Sequence, residues 1–205
     1  MKEISIVNYG LGNVYSIQNA ILSFGYKVKI VNNAEEILNS SHLILPGVGA
    51  FNHAMSVLSD SNLDQAIKEY SKEGRYILGI CLGMQLLFDQ SSENNITSGL
   101  KLLSGNVEKF SKKNSYKIPQ IQWNKVTIQN ESKLMSNLNR EEFFYFLHSF
   151  YVNKDTIDAC NIGTTNYAEQ EYVSLIEKDN IFGTQFHPEK SGQTGLNLLQ
   201  NFIRM

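Results

Sequence analysis

The segment YILGICLGMQ, residues 76–85, decides the fold, because one cysteine joins a short apolar run to the start of a helical pattern. Tyr76 to Ile80 has the length and apolar character of a buried strand. Cys81 follows, with Gly79 and Gly83 two residues to each side. Glycines at these places permit the strained turn and close packing of a strand-to-helix elbow. The segment therefore predicts an α/β fold with Cys81 at the carboxyl edge of the sheet.

The N-terminal half repeats this alternation of strand and helix. We expect strands at residues 3–8, 26–31, 42–45 and 76–80, and helices at residues 13–24, 34–38, 62–72 and 84–90. Asn13 is the expected cap of the first helix, and Gly25 is its expected end. Strands and helices that alternate in this way are typical of a parallel sheet covered by helices on both faces.

The C-terminal half is rich in strand patterns. They cover residues 106–110, 125–129, 142–152, 157–165, 172–177 and 181–186, and a last helix runs from about residue 194 to 205. Residues 91–98 are expected to form an exposed loop, and residues 112–115 a turn. The predicted fold is one α/β domain over residues 1–205. Its central sheet is mostly parallel and flanked by helices, with additional antiparallel strands in the C-terminal half.

The composition is that of an ordinary globular chain. Of the 205 residues, 42% are hydrophobic and 19% are charged, and the formal net charge is −2. This balance disfavours disorder, and it provides no basic field for nucleic acid. No apolar run approaches the roughly 20 residues that cross a bilayer, and no leader pattern occurs, so we expect a cytoplasmic protein without a membrane span. We expect neither a cofactor nor a metal site.

Cys81 is the candidate nucleophile. At an elbow its sulfur stands above the sheet edge, where the N-terminus of the next helix favours negative charge, and the Leu82 N–H is a natural oxyanion donor. The common alternative for a lone cysteine is a buried, inert thiol, but the flanking glycines favour the elbow. Cys160 has no such setting. It lies in a predicted strand, and we interpret it as structural, with no disulfide expected in a reducing compartment.

A second segment, GTQFHPEKS at residues 183–191, ends an apolar strand in a base and a carboxylate. His187 would take the thiol proton and later protonate a leaving amine, while Glu189 would orient and stabilise its imidazolium. Pro188 restricts the backbone between them. A surface turn is the usual explanation of such a string, and His187 is not the only histidine. The competing bases are His42, His53 and His148. The strand before His187 and the carboxylate after it favour His187.

The two segments together resemble the motifs of the class I (triad) glutamine amidotransferases, a family with a flavodoxin-like α/β fold. GICLGMQ (79–85) is similar to the nucleophile motif, and FHPEKSG (186–192) to the His/Glu motif. Three further stretches, YGLGN (9–13), LPGVGAF (45–51) and FYFLHSFY (144–151), resemble the glutaminase subunits of imidazole glycerol phosphate synthase. The resemblance spans nearly the whole chain. It implies that the chain hydrolyses glutamine and passes ammonia to a (β/α)8 cyclase in a heterodimer for histidine biosynthesis.

The resemblance also implies roles for single residues. Cys81, His187 and Glu189 match the triad. The oxyanion hole corresponds to Val48, Gly49 and Leu82. The positions that hold glutamine correspond to Gly49, Gln85, Ser149 and Phe150. The positions that face the cyclase correspond to Asn13, Trp123 and Lys190.

Residues 119–124 depart from the family pattern, which reads roughly PHMGWN. This chain has PQIQWN, so Gln120 and Gln122 replace a histidine and a glycine. Loss of the glycine removes easy access to positive φ and adds a long polar side chain. The family places this stretch at the cyclase interface, so the departure concerns the partner and not the triad. A paralogue that supplies ammonia to a sugar amidotransferase in surface-glycan biosynthesis therefore stays open.

Three other classes of protein compete with a glutaminase. A cysteine peptidase or hydrolase would use the same thiol on peptides or esters without a partner. A non-catalytic binding module would keep the fold without needing catalytic residues, and the intact Cys–His–Glu set argues against it. A nucleotide-binding protein would need a third glycine after Gly10 and Gly12, where Tyr15 stands instead. The combined motifs favour the glutaminase over all three.

Overall fold

The structure is a computed structural model that describes residues 3–111 and 116–205. Within these ranges the strands are β1 (Glu3–Val7), β2 (Lys27–Val31), β3 (His42–Leu45), β4 (Tyr76–Ile80), β5 (Gln90–Ser91), β6 (Thr97–Ser98), β7 (Asn106–Lys109), β8 (Gln120–Ile128), β9 (Glu141–His148), β10 (Phe150–Val152), β11 (Asn161–Tyr167), β12 (Gln170–Lys178) and β13 (Ile181–Thr184). The α-helices are α1 (Val14–Ser23), α2 (Ala34–Leu38), α3 (Phe51–Asp60), α4 (Leu63–Lys72), α5 (Leu82–Leu86) and α6 (Gly192–Arg204). Two 3-10 turns occupy Lys154–Thr156 and Pro188–Lys190. The turn expected at residues 112–115 lies outside the described residues.

The sheet has a parallel part and an antiparallel part. Its order is β2-β1-β3-β4-β13-β12-β10-β7-β5-β6, with β11 joining β12 to β8 and β8 pairing with β9. The five strands from β2 to β13 pair in parallel. β12 pairs antiparallel with β13, β10 and β11, and β8 pairs antiparallel with β9 and β11. The α/β prediction is confirmed, with the antiparallel strands contributed by the C-terminal half.

Helices cover both faces of the parallel strands. Along β3, Ile44 belongs to the apolar cluster under α1 and α6, whereas Leu43 and Leu45 belong to the cluster under α2, α3 and α4. Successive side chains of a strand point to opposite faces, so a strand buried on both sides needs a continuous apolar run. This is why β3 is apolar at consecutive positions. In the described part of the chain, no helix is both long and apolar enough to cross a membrane.

The parallel order gathers the loops that carry the sequence motifs at one edge. The loops after β1, β3, β4 and β13 all leave the carboxyl ends of neighbouring parallel strands. Open α/β sheets bind their ligands at this edge. The first two loops touch each other, because a Cβ added to Gly12 would lie 3.0 Å from the Pro46 ring. The fold thus brings residues from four distant parts of the sequence to one place.

Several predicted boundaries were wrong. The helix after Cys81 begins at Leu82 and not at residue 84, so Cys81 itself is its N-cap. Asn13 precedes α1 without making a side-chain cap bond. The strand predicted over residues 142–152 is two strands, β9 and β10, broken at Ser149. The strand predicted to begin at Lys125 begins at residue 120. Its first half was missed because its apolar residues are exposed and alternate with polar ones.

Two further local predictions need correction. The expected loop at residues 91–98 contains the pair β5 and β6 at its ends. Cys160 lies before β11 and not within a strand, half-buried, with its Sγ donating to the Asp158 carbonyl oxygen at 3.1 Å. Helix α3 had no counterpart among the predicted elements. Its N-cap, Ala50, has no side-chain acceptor, and Glu93 accepts a bond from the first helical N–H, on Phe51, at 2.7 Å instead.

Candidate active site

Cys81 occupies the turn between β4 and α5 in a strained backbone conformation. Its φ is 56° and its ψ is −112°, which a non-glycine residue rarely adopts. Such a conformation costs on the order of 1–3 kcal/mol and persists only where the surroundings enforce it. Here the Cys81 N–H donates to the Thr184 carbonyl oxygen at 2.7 Å, which extends the β4–β13 ladder into the turn. The predicted elbow is therefore present, with Cys81 at its apex.

The glycines on each side of Cys81 allow α5 to pack on the sheet. A Cβ added to Gly79 would lie 2.7 Å from the Met84 backbone nitrogen. A Cβ added to Gly83 would lie 1.8 Å from the Leu45 carbonyl oxygen. No real Cβ is found at these separations, so both positions require glycine. The sequence suggested that these glycines allow close approach at the elbow. The packing of α5 against β3 and β4 supports that reason.

His187 and Glu189 form a buried pair after β13. His187 Nδ1 lies 3.0 Å from Glu189 Oε1, and the two side chains are 4% and 0% exposed. Pro188 opens the 3-10 turn that holds them. Ser191 fixes the turn against β9, because its hydroxyl donates to the His187 carbonyl oxygen at 2.6 Å and accepts from the Tyr145 N–H at 2.9 Å. The imidazole is thus oriented by a carboxylate on one side and by the backbone behind it.

The charges around His187 favour an imidazolium. Burial lowers the pKa of His187, but the Cys81 sulfur and the Glu189 carboxylate outweigh burial and raise it to about 10. Nε2 has no hydrogen-bond partner among the described residues, and the Cys81 sulfur lies close enough to the imidazole to raise its pKa. Glu189 Oε2 is likewise buried without such a partner. This arrangement can hold a thiolate and an imidazolium side by side, as a cysteine nucleophile with a histidine base requires.

A cavity of about 260 Å³ opens above Cys81. Its lining includes every predicted oxyanion and substrate residue together with the candidate nucleophile and base, namely Val48, Gly49, Cys81, Leu82, Gln85, Ser149, Phe150 and His187. Glu189 stands behind His187 and outside the lining. A cavity of this size suits a ligand smaller than a typical drug molecule. Among the described residues, no group of three or more His, Cys, Asp or Glu side chains is arranged to hold a metal ion.

The competing histidines differ from His187 in their settings. His42 is buried beneath α6 with its ring 5.5 Å from that of Phe202, and His53 lies exposed on α3. His148 does line the cavity, but its Nδ1 is 2.7 Å from the Phe150 carbonyl oxygen. Burial lowers the pKa of His148 to about 4, so it is neutral at pH 7. Only His187 combines a carboxylate partner with proximity to the sulfur.

Gln85 is anchored at the floor of the cavity by its amide nitrogen. Its Nε2 donates to the Phe150 carbonyl oxygen at 2.9 Å and to Gln185 Oε1 at 2.8 Å. An amide nitrogen has two N–H groups, so both are used. The carbonyl oxygen, Oε1, is the group that Gln85 can offer to a ligand.

The cavity also contains residues that the sequence analysis missed. Glu93, Pro119 and Leu147 line it, and Gln185 reaches Cys81 from below, with Nε2 3.7 Å from Sγ. Glu93 belongs to the polar stretch taken for an exposed loop. Gln185 stands inside the second motif, two residues before His187. The position of Gln185 between the end of β13 and His187 was the one feature of the sequence that could have indicated a role in the site.

Gln120 does not lie on the surface where the departure from the family pattern placed it. It is fully buried opposite His148 in the β8–β9 pair. Its Oε1 is 2.9 Å from the Tyr172 hydroxyl, and that hydroxyl is 3.3 Å from His148 Nε2. The change at this position is therefore internal to the site, whereas Gln122 is exposed. The first glutamine supports a cavity residue, and only the second can meet a partner directly.

The β8–β9 pair exposes an apolar face beside the cavity. Ile121 pairs with Leu147 and Trp123 with Tyr145 in the antiparallel register, so their side chains share one face. The large exposed side chains of this face are Ile121, Trp123, Phe143 and Leu147. We call these four residues the hairpin patch. The Trp123 ring lies 3.9 Å from the position that a Cβ on Gly192 would take, and the exposed residue Lys190 is two positions before Gly192. Asn13 is half-buried on a separate loop, the one after β1.

Comparisons with known proteins identify the family. The family described as glutamine amidotransferase class-I matches residues 5–205. Imidazole glycerol phosphate synthase subunit HisH of Caldanaerobacter subterraneus subsp. tengcongensis is 45% identical over 206 residues, covering 98% of each chain. The subunit HisH of Methanosarcina barkeri is 44% identical and covers 100% of both chains. In fold, the chain is similar to a structure of PurLQS from Thermotoga maritima, with a TM-score of 0.77 at 19% identity and coverage of 99% and 98%. The chain therefore belongs to the class I glutamine amidotransferases and, within them, to the family of imidazole glycerol phosphate synthase subunits HisH.

Proposed function

We propose that this chain is the glutaminase subunit of an imidazole glycerol phosphate synthase, and that Cys81, His187 and Glu189 are its catalytic triad. The observation that carries the proposal is the cavity in which Cys81, held on a strained elbow, meets His187 and Gln85. The family match over residues 5–205 supports a single amidotransferase domain across residues 1–205. The names of the relatives support a synthase partner subunit, and none of them favours a sugar amidotransferase.

Glutamine would bind with its carboxamide over Cys81. Ser149, Phe150 and Gln85 line the cavity, and the amino acid end of the substrate would lie against them. Glu93 is the single carboxylate among the described lining residues, which makes it the natural partner for the substrate ammonium. Its other contact, to the first N–H of α3, holds the carboxylate in place. Gly49 lines the cavity without a side chain.

The first chemical step would form a thioester. The Cys81 thiolate attacks the carboxamide carbon, and the resulting oxyanion takes bonds from the N–H groups of Leu82 and of Val48 and Gly49 in the loop after β3. Loss of one such donor costs about 100- to 1,000-fold in rate. The carbon–nitrogen bond then breaks as His187 gives its proton to the departing nitrogen, which leaves as ammonia. The high pKa of His187 keeps this proton available until the thiolate charge has been consumed.

The second step would hydrolyse the thioester. His187, now neutral, accepts a proton from a water molecule that attacks the same carbonyl carbon. The carbon–sulfur bond breaks, glutamate departs, and the thiolate and imidazolium are restored. Glu189 keeps the same imidazole nitrogen facing Cys81 in both steps, because its bond to Nδ1 fixes the tautomer.

Ammonia would leave towards the hairpin patch. The Leu147 carbonyl oxygen lies 3.8 Å from Cys81 Sγ, and the Leu147 side chain belongs to the patch. Exposed apolar patches of this kind mark surfaces that bind other proteins. We propose that a (β/α)8 cyclase docks here, with Trp123 and Lys190 in the contact and Asn13 at a second point of it. A docked partner keeps ammonia from bulk water, where it would become ammonium.

The test is reconstitution with the cyclase subunit of the same organism. Cys81→Ala should abolish glutamine-dependent synthesis of imidazole glycerol phosphate and leave ammonium-dependent synthesis unchanged. Cys160→Ala is the matched control, because it removes the other thiol away from the cavity, and it should retain both activities. Glutamine-dependent synthesis by Cys81→Ala, or transfer of ammonia to a sugar acceptor alone, would overturn the proposal.

A further inference from the structure

Gln185 is a buried polar residue with no part in the mechanism so far. It follows β13, and its backbone N–H donates to the Ser174 carbonyl oxygen at 2.9 Å, so the main chain is fixed. Its side chain is fully buried between α5 and the cavity. A buried amide is costly unless its groups are hydrogen-bonded. Its contacts are therefore informative.

The orientation of the Gln185 amide follows from its neighbours. The Phe150 carbonyl oxygen can only accept, so Gln85 must direct its amide nitrogen to it. The second N–H of Gln85 then points to Gln185, which must present its oxygen, Oε1, at 2.8 Å. This leaves the nitrogen, Nε2, facing Cys81 Sγ at 3.7 Å. The order of donors fixes Gln185 as a donor to the nucleophile.

We infer that Gln185 is a positioning residue that couples the nucleophile to the substrate clamp, an inference that rests on the proposed function. Its Nε2–H group donates to the Cys81 sulfur, which favours the thiolate and holds the sulfur towards the cavity. Its Oε1 holds Gln85 so that the Gln85 oxygen faces the ligand. A hydrogen bond to a charged acceptor is stronger than one between neutral groups. Both effects depend on one amide that touches no substrate.

The thiol can report the first effect without substrate. Gln185→Met keeps the length of the side chain and removes both polar groups. In a Cys160→Ala background, Cys81 is the one remaining thiol, and iodoacetamide alkylates its thiolate form. We expect Gln185→Met to slow alkylation at pH 7 by about 10-fold or more, as loss of a bond to a charged group implies, and to move the half-maximal rate to higher pH. KM for glutamine should also rise, since Gln85 loses one of its two hydrogen-bond partners and keeps the Phe150 carbonyl oxygen alone.

The control separates this role from the general cost of losing a buried hydrogen bond. Ser40 is buried before β3, at the edge of the sheet opposite Cys81, and its hydroxyl donates to the Glu36 carbonyl oxygen at 2.8 Å. Ser40→Ala should destabilise the fold and leave the alkylation profile unchanged. If Gln185→Met does not fold, Gln185→Asn decides, because it keeps the amide but withdraws it from the sulfur, and it should also slow alkylation. Wild-type alkylation by the folded variant would overturn the inference, whereas failure of the wild-type protein to hydrolyse glutamine would overturn the proposed function instead.

Discussion

Gly83→Ala should displace Cys81 and lower activity strongly, while it destabilises the protein only moderately. The added Cβ would lie 1.8 Å from the Leu45 carbonyl oxygen and 2.8 Å from its carbon, where ordinary contacts begin at 3.4 Å. Both contacts are with backbone, so no side chain can rotate away. The start of α5 must move from β3 by roughly 1.5 Å to relieve the overlap. Cys81, as the N-cap of α5, moves with it.

The expected magnitudes follow from this displacement. Overpacking costs about 1–3 kcal/mol, and in a chain of this size each kcal/mol lowers Tm by about 2–4 °C. We therefore expect Tm to fall by about 2–12 °C. Misplacement of a reacting group by about 1 Å can lower the rate about 100-fold, so kcat for glutamine hydrolysis should fall by that order. The variant should be folded but nearly inactive at 25 °C.

Gly74→Ala is the control for stability alone. Gly74 lies in the turn before β4, at the end of the strand opposite Cys81, with open space for a Cβ but a φ of +75°. Its substitution costs about 1–2 kcal/mol through backbone strain. The control should lose similar stability and keep wild-type kcat in the same assay with the partner subunit. Wild-type kcat for Gly83→Ala, or equal losses for both variants, would refute the argument.

Three further predictions concern the triad, the buried histidine and the partner surface. Glu189→Gln removes the charge that stabilises the imidazolium, so kcat should fall about 100- to 10,000-fold, and a loss below 10-fold would remove Glu189 from the triad. Burial lowers the pKa of His148 to about 4, against about 6.5 in the unfolded chain. As the pH drops from 6.5 to 4, the unfolded chain is therefore protonated first, and the free energy of unfolding falls. From pH 7 to pH 5, the free energy of unfolding measured with urea should fall by about 2 kcal/mol more for the wild type than for His148→Gln. Equal losses in the two proteins would contradict this. Phe143→Asp should weaken cyclase binding at least about 10-fold, whereas Leu22→Asp, similarly exposed at the far end of α1, should bind normally, and equal affinities would move the interface elsewhere.

The parts of the fold that the sequence predicted are those with strong local signals. β3 and β4 were located to the residue, because each is a short, mainly apolar run that follows a polar residue, Ser41 or Arg75, and ends where the pattern breaks, at Pro46 or Cys81. The elbow was predictable because its glycines and its cysteine are within five residues of each other. The three residues of the proposed triad came from two short segments whose chemistry is local. Their meeting follows from the parallel pairing of β4 with β13.

What the sequence did not predict depends on contacts between distant residues. Helix α3 lacks a local cap, and its first N–H is satisfied by Glu93, which is 42 positions away. The same carboxylate lines the cavity, but it lies in a polar stretch that has no periodic pattern. The first half of β8 was missed because Ile121 and Trp123 face outward, against the usual direction of apolar residues. Gln120 was assigned to a surface because its burial depends on Tyr172, which lies 52 positions later.

In the proposed mechanism, Cys81 carries the glutamyl group during turnover. The most direct measurement is acid quenching of the protein with its partner and excess glutamine within the first turnover, followed by peptide mass mapping. We expect a glutamyl adduct on the peptide containing Cys81, which hydroxylamine removes as it does other thioesters. An adduct on a different residue, or the same adduct mass in Cys81→Ala, would contradict it.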